Sequence, residues 1–249
     1  MKLEDIQSIG MMGGGVMGSG IAQTTALADY KTIVRDISDE VLAKTKNTII
    51  DGRWGLKGGV ARGKHTPEQM DQVLANLSFT TKVEDLKDCD LIIEAVPENM
   101  ELKQRVFAEL DKLVKKDAIF ASNSSALTHA EISKAVERKD QYIGMHWFSP
   151  ANIMKLVELI YTPDTSEEVI QTLEGLCQRL DKTSIRVKDV PGNTGYINNR
   201  IFRVVREEAR KIVEEGIATE EDVDTAMRLG RNWPAGPFES SRGSRSGWV

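Results

Sequence analysis

Only three histidines occur in this chain of 249 residues. One of them, His146, stands where proton chemistry would need it. It ends an apolar run at 142–146 and enters Trp147-Phe148-Ser149-Pro150. An imidazole takes up or gives a proton near neutral pH, and ligands of open α/β sheets gather beyond the carboxyl ends of strands. A packed structural histidine is the alternative reading of the same position. Glu158 then interrupts the apolar run Leu156-Val157-Glu158-Leu159-Ile160, and a carboxylate there is costly unless it is paired. If the chain reverses over 149–152, the two runs lie antiparallel and Glu158 meets His146, orienting the ring and favouring its charged form. Pairing with a lysine on a neighbouring element is the other possibility. The polar loop Ser122-Asn123-Ser124-Ser125 follows the run at 118–121. There Ser125 reads equally as a donor to a substrate oxygen or as the N-cap of a helix near Thr128. His65, in the polar stretch Arg62-Gly63-Lys64-His65, and His129 are both expected at the surface.

A second chemistry is written in Gly13-Gly14-Gly15-Val16-Met17-Gly18. A first glycine allows a tight strand-to-helix turn, the second lets backbone approach a pyrophosphate, and the third lets the helix pack closely on the strand. The helix after this turn, read as 19–28, points unpaired N–H groups and a positive dipole end towards phosphate. Asp36 closes the next apolar run, 31–35. A carboxylate at that place accepts hydrogen bonds from ribose hydroxyls and repels a 2′-phosphate, which favours NAD over NADP. An ordinary turn residue is the bland alternative. Glu98, in Pro97-Glu98-Asn99 after the run at 91–96, could face the nicotinamide side. Gly10 is an oddity, because glycine inside a strand weakens it.

These groups need a scaffold, and the chain supplies one. Short apolar runs at 8–12, 31–35, 91–96, 118–121, 142–146 and 156–160 alternate with amphipathic stretches such as 101–114. That alternation predicts an α/β fold, a Rossmann-type doubly wound and mainly parallel sheet. Pro191-Gly192-Asn193 breaks the pattern, and the segment after it is helical, with Ile201, Val204, Val205, Ile212 and Val213 on one stripe. Thr219 to Asp222 resembles a capping box, and Gly230 is expected to close that helix. The expected domains are therefore a nucleotide-binding unit at 1–188 and a small all-helical unit at 189–249. The ending SSRGSRSGWV does not match the helix before it, so the second unit is expected to be incomplete. A net charge of -5 gives no general attraction to nucleic acid or anionic membrane. No apolar stretch approaches a membrane span, and MKLEDIQSIG lacks the features of a secretory signal. Cys89 and Cys177 have no metal or redox spacing. A cytoplasmic protein without a metal site is expected.

Taken in order, GGGVMGSGIAQ, Asp36, EAVPENMELK, ASNSSAL, GMHWFSP, MKLVELI, KDVPG, GYINNR, EDVDTAMRLG and GPFE resemble the L-3-hydroxyacyl-CoA dehydrogenase family, including the 3-hydroxybutyryl-CoA dehydrogenases. The resemblance implies hydride transfer between NAD and C3 of an acyl-CoA thioester. His146 would be the general base and Glu158 its electrostatic partner. Ser125 and Asn199 would hydrogen-bond the substrate. Gly13, Gly14, Gly15, Val16, Met17, Gly18, Asp36, Glu98, Lys103, Ser125 and Ser149 would line the cofactor, and a homodimer would form. The chain departs from the family in Ser149, where asparagine is usual, in the extra Asn193 and Thr194, and in its ending, where the family continues in helix. Arg53, Lys57, Arg62 and Lys64 form a basic, glycine-rich stretch that either meets coenzyme A phosphates or is simply solvated. A nucleotide-binding homologue without turnover and a dehydrogenase of a free 3-hydroxy acid are the competing readings.

Overall fold

The computed structural model describes residues 1–190, 192 and 195–241. The turn expected at Pro191 and Asn193, the extra Asn193 and Thr194, and the tail from 242 onward lie outside the described residues. The chain divides into two compact units, Met1–Asn193 and Thr194–Val249.

In the first unit the order is β1 (Ser8–Met12), α1 (Val16–Leu27), β2 (Lys31–Arg35), α2 (Asp39–Asp51), α3 (Leu56–Ala61), α4 (Pro67–Asn76), β3 (Leu77–Thr80), β4 (Leu91–Glu94), α5 (Met100–Leu113), β5 (Ile119–Ser122), α6 (His129–Ile132), β6 (Tyr142–Trp147), β7 (Leu156–Tyr161), α7 (Glu167–Arg179) and β8 (Thr183–Lys188). The eight strands form one sheet in the order β3-β2-β1-β4-β5-β6-β7-β8. Every neighbouring pair is parallel except β6 and β7. This is the expected doubly wound sheet. From β1 the chain winds outward through β2 to β3 and then crosses back to β4 on the other side of β1, and the gap between β1 and β4 is the topological switch point.

The central strands read as continuous apolar runs because helices cover both faces. Ile9, Met11, Ile93 and Ala121 join α1, α2 and α7 in one apolar cluster. Met12, Ile92 and Phe120, one position along, join α5 and α6 in the other. A buried isoleucine, methionine or phenylalanine among them contributes roughly 1.5–3 kcal/mol by leaving water. The same alternation explains Gly10. A Cβ there would stand 2.5 Å from Ile92 Cδ1 and 3.3 Å from Cys89 Sγ, so the strand is thinned where the second cluster is tightest. Cys89 and Cys177 are buried free thiols, and burial pushes both up to about 12.

Two strands escape the sequence reading. β3 and β8 lie at the two edges of the sheet and are only partly covered, so neither needs an apolar run. The strand expected at 91–96 ends at Glu94, and α1 begins at Val16, directly after the glycine turn rather than at Ser19.

The second unit holds α8 (Ile197–Glu214), α9 (Glu220–Arg231) and α10 (Pro237–Ser241). Thr219 and Asp222 form the expected capping box. Gly230 does not end α9; the helix runs through it to Arg231 and stops at Asn232, which adopts the left-handed conformation at φ 55°. Asparagine tolerates that region by virtue of its short polar side chain. Asp224 accepts from the backbone N–H groups of Phe238 (2.9 Å) and Glu239 (3.1 Å), holding the start of α10. Among the described residues no helix is long and apolar enough to cross a membrane.

Candidate active site

The strand register lines up Met12 with Arg35 and Glu94, Glu94 with Ser122, and Ser122 with Gly144. The glycine turn, Asp36, Glu98, the serine loop and His146 all lie at or just beyond this row of carboxyl ends.

At the switch point, Gly13 sits at φ 102°, a region that side chains rarely enter. A Cβ on Gly18 would lie 1.8 Å from Gly13 O, and one on Gly14 would meet Thr45 Oγ1 at 2.3 Å. Thr45 uses that hydroxyl to donate to Gly14 O at 2.7 Å. Gly15 differs: a Cβ there meets nothing within 4 Å, so its missing side chain leaves open space against the backbone. Gly15 is also the N-cap of α1, and no side chain caps that helix. Asp36 accepts from the N–H of Gly14 at 2.6 Å and of Ile37 at 2.6 Å, which fixes its carboxylate at the rim of the turn. An uncapped helix start, a backbone cradle and a fixed carboxylate fit a dinucleotide.

Beyond β4 and β5, one oxygen of Glu98 gathers the serine loop. It accepts from Ser124 Oγ at 2.6 Å and from the N–H groups of Ser125 and Ala126 at 2.9 and 3.0 Å. Burial works against ionisation, but these bonds and the Lys103 charge outweigh it and hold the carboxyl below the usual range. Ser125 is therefore no N-cap: Thr128 precedes α6, and Ser124 Oγ accepts the nearby Leu127 N–H at 3.1 Å. Lys103, expected along the cofactor, lies instead beneath Glu98. Its side chain is 1% exposed, with Nζ 2.7 Å from Glu94 and 3.4 Å from Glu98. Glu94, fully buried, also accepts from Ser122 Oγ at 2.7 Å, and burial pushes its carboxyl up against these partners. The sequence reading missed Glu94. Like Glu158, it is a carboxylate in an apolar strand, and that signal would have led from it to Lys103.

β6 and β7 are antiparallel, with His146 directly opposite Glu158. His146 Nδ1 and Glu158 Oε2 are 2.7 Å apart, and both side chains are buried. An ionised carboxylate only accepts, so Nδ1 carries the proton and Nε2 is the nitrogen suited to proton exchange. Phe148 packs on the ring, with centroids 4.6 Å apart. Asn123, also missed, fixes the strand ends together: its Oδ1 accepts from Trp147 N–H at 2.8 Å and its own N–H donates to Glu94 O at 2.8 Å. Ser149 is exposed in the loop after β6.

His129 was expected at the surface and is fully buried. Its ring occupies the space beside Gly144, where a Cβ would lie 2.2 Å from Nε2, and Nδ1 is 2.9 Å from Tyr142 Oη. Burial, reinforced by the charge of Lys103 and by His146, pushes it down to about 3. An unfolded histidine titrates near ~6.5, so the unfolded chain binds the extra proton between those values and stability falls as pH drops. The expected slope from this one group is at most ~1.4 kcal/mol per pH unit. Thermal unfolding of the His129→Gln variant between about pH 6.5 and 5 should show a flatter acid slope than wild type. An equal slope would assign it to other groups.

His65 is half-buried. In the same arm, the Arg53 and Arg62 guanidiniums stand 5.1 and 5.3 Å from the Trp54 ring centroid, while Lys57 pairs with Asp51 at 2.6 Å. Asn199 lies in the first turn of α8. Among the described residues no group of three metal-binding side chains comes together.

Residues 8–190 match the family described as 3-hydroxyacyl-CoA dehydrogenase, NAD binding domain, and residues 195–243 match its C-terminal domain. The chain is 38% identical over 237 residues to the mitochondrial hydroxyacyl-coenzyme A dehydrogenase of Rattus norvegicus, covering 94% of this chain and 74% of that protein. It is 38% identical over 230 residues to the 3-hydroxybutyryl-CoA dehydrogenase of Clostridioides difficile, covering 92% and 80%. Among solved structures it is similar to the (S)-3-hydroxybutyryl-CoA dehydrogenase PaaH1 of Ralstonia eutropha, with a TM-score of 0.88 and 35% identity over 94% of this chain and 81% of that one.

Proposed function

This chain belongs to the 3-hydroxyacyl-CoA dehydrogenase family, and on that premise we propose that it interconverts a short-chain 3-hydroxyacyl-CoA and its 3-keto partner with the residues described above. The observation that carries the reading is the buried His146–Glu158 pair in the same row of strand ends as the glycine turn and Asp36. When bound, NAD supplies the acceptor for the hydride that leaves C3. His146 Nε2 takes the hydroxyl proton as the carbonyl forms, and Glu158 holds the ring in its tautomer and stabilises the positive charge it gains. Ser125 donates to the substrate oxygen from a loop that Glu98 holds still, and Lys103 anchors Glu98 from below. Asn199 is retained as a second substrate donor, on the family resemblance alone. Gly13 to Gly18 hold the pyrophosphate and Asp36 the adenosine ribose. Ser149 meets the cofactor with a shorter group than the family's usual asparagine. The Trp54 ring flanked by Arg53 and Arg62 is the place proposed for the coenzyme A nucleotide, whose phosphates suit guanidinium forks. A homodimer is proposed from the resemblance, and a reducing, cytoplasmic setting from the two buried thiols.

NADH oxidation should be fast with acetoacetyl-CoA and at background with free acetoacetate. Equal rates would point to a free-acid dehydrogenase, and NADH binding without turnover on either would point to a non-catalytic homologue. The Asp36→Ala variant should lose most of the preference for NAD over NADP, because both the ribose acceptor and the charge that repels a 2′-phosphate are gone. An unchanged ratio of kcat/KM values would remove Asp36 from cofactor selection.

A further inference from the structure

We propose that Lys182 is a positioning residue for this site, an ammonium tether that holds the β6–β7 loop from its inner side and with it Ser149 and the His146–Glu158 pair. The inference rests on the function proposed above. Lys182 lies between α7 and β8 and is almost completely buried. Its Nζ donates to Ala151 O at 2.7 Å and to Met154 O at 2.8 Å, and stands 5.6 Å from the Trp147 ring centroid.

The loop needs such a partner. Its own backbone closes on one acceptor, with the N–H groups of Ile153 and Met154 both donating to Pro150 O at 3.0 and 2.9 Å. That leaves the carbonyls of Ala151 and Met154 to be satisfied from inside. The outer side of the loop touches the cofactor helix and the basic arm. A methyl on Gly20 of α1 would lie 3.1 Å from Ala151 Cβ, and Asn152 Nδ2 donates to Trp54 O at 2.6 Å and to Gln23 Oε1 at 3.1 Å. One loop thus joins the proton-transferring pair, the nucleotide helix and the arm proposed for coenzyme A, and one ammonium pins it.

The groups facing that ammonium are few. Burial pushes Lys182 down to about 8; Lys155 adds to the effect, and Asp181 and Cys177 oppose it. Trp147, from β6, offers only the face of its ring. In the mildly alkaline range the tether loses its charge, and its hydrogen bonds fall from charge-assisted to neutral strength.

The test compares wild type with Lys182→Met and Lys182→Arg across about pH 6.5 to 9.5, reading NADH affinity by fluorescence together with kcat and KM for acetoacetyl-CoA. Lys182→Met should bind NADH about tenfold more weakly at neutral pH, with KM raised more than kcat is lowered. Wild-type affinity should weaken through about pH 8, and that weakening should be absent in Lys182→Met. Lys182→Arg, charged throughout, should regain affinity and stay flat with pH. A Lys182→Met protein that binds as wild type does, or keeps the alkaline weakening, overturns the tether. If that variant does not fold, the wild-type series decides: flat affinity overturns the proposal, and a fall centred near 8 supports it. Wild-type protein unable to bind NADH at any pH would contradict the function proposed above, and the tether with it.

Discussion

Replacing His146 with glutamine should lower kcat by about 10²–10⁴ while leaving NADH affinity close to that of wild type. The glutamine is similar in reach and can still donate to Glu158, so the strand pair and the buried carboxylate keep a partner and the fold is spared. What is lost is a group that can hold a proton as the 3-hydroxyl becomes a carbonyl. His146 is 4% exposed and lies on β6, whereas the glycine turn comes after β1 and Asp36 after β2. Cofactor binding and proton transfer therefore separate cleanly in this variant. Steady-state rates with acetoacetyl-CoA, alongside NADH fluorescence, read the two properties independently. Turnover near the wild-type rate would remove His146 from the chemistry, and loss of NADH binding would show that the substitution had reached the fold.

Gly15→Val should abolish useful NADH binding, weakening it by more than ~100-fold (about 2.7 kcal/mol), with only a small fall in Tm from valine at the N-cap of α1. Empty space at this glycine is the cause. Gly15 has φ -62° and ψ -165°, an extended conformation that any residue adopts, and its Cβ direction is open. Its Cβ meets nothing in the protein alone, so beyond the modest cost of valine in place of glycine at a helix N-cap the side chain interferes when a pyrophosphate must approach that backbone. Gly18→Ala is the contrasting variant. Its methyl would fall 1.8 Å from Gly13 O, and forcing atoms into so tight a contact typically costs about 1–3 kcal/mol or more in stability. Tm measured beside NADH titration distinguishes them. A Gly15→Val protein that binds NADH normally would show that the phosphates lie elsewhere.

The parts of this fold that were legible in the sequence are those where burial forces a pattern. β1, β4 and β5 are covered on both faces, so they read as apolar runs, and the glycine turn reads plainly because three positions have three separate steric reasons. The need for a partner at Glu158 is legible too, since a carboxylate in a buried strand must be paired, but the sequence leaves His146 and a neighbouring lysine both open until the strands are seen to reverse. Other features depend on tertiary context. β3 and β8 lie on sheet edges where no apolar run is required. His129 sits in a polar-looking stretch, and its burial beside Gly144 depends on the absence of a side chain two positions before His146. Nothing in one dimension marks Lys103, which the resemblance puts along the cofactor, or Lys182 as a buried lysine. Each becomes buried only because carboxylates or loop carbonyls from distant segments converge on its ammonium.

The most direct measurement is the crystal structure of the protein with NAD and acetoacetyl-CoA bound together. His146 Nε2 is expected within about 2.6–3.2 Å of the substrate's 3-oxygen, with Nδ1 still on Glu158. A 3-oxygen held by other groups, with the imidazole remote from it or turned away from Glu158, would refute the proposed proton transfer.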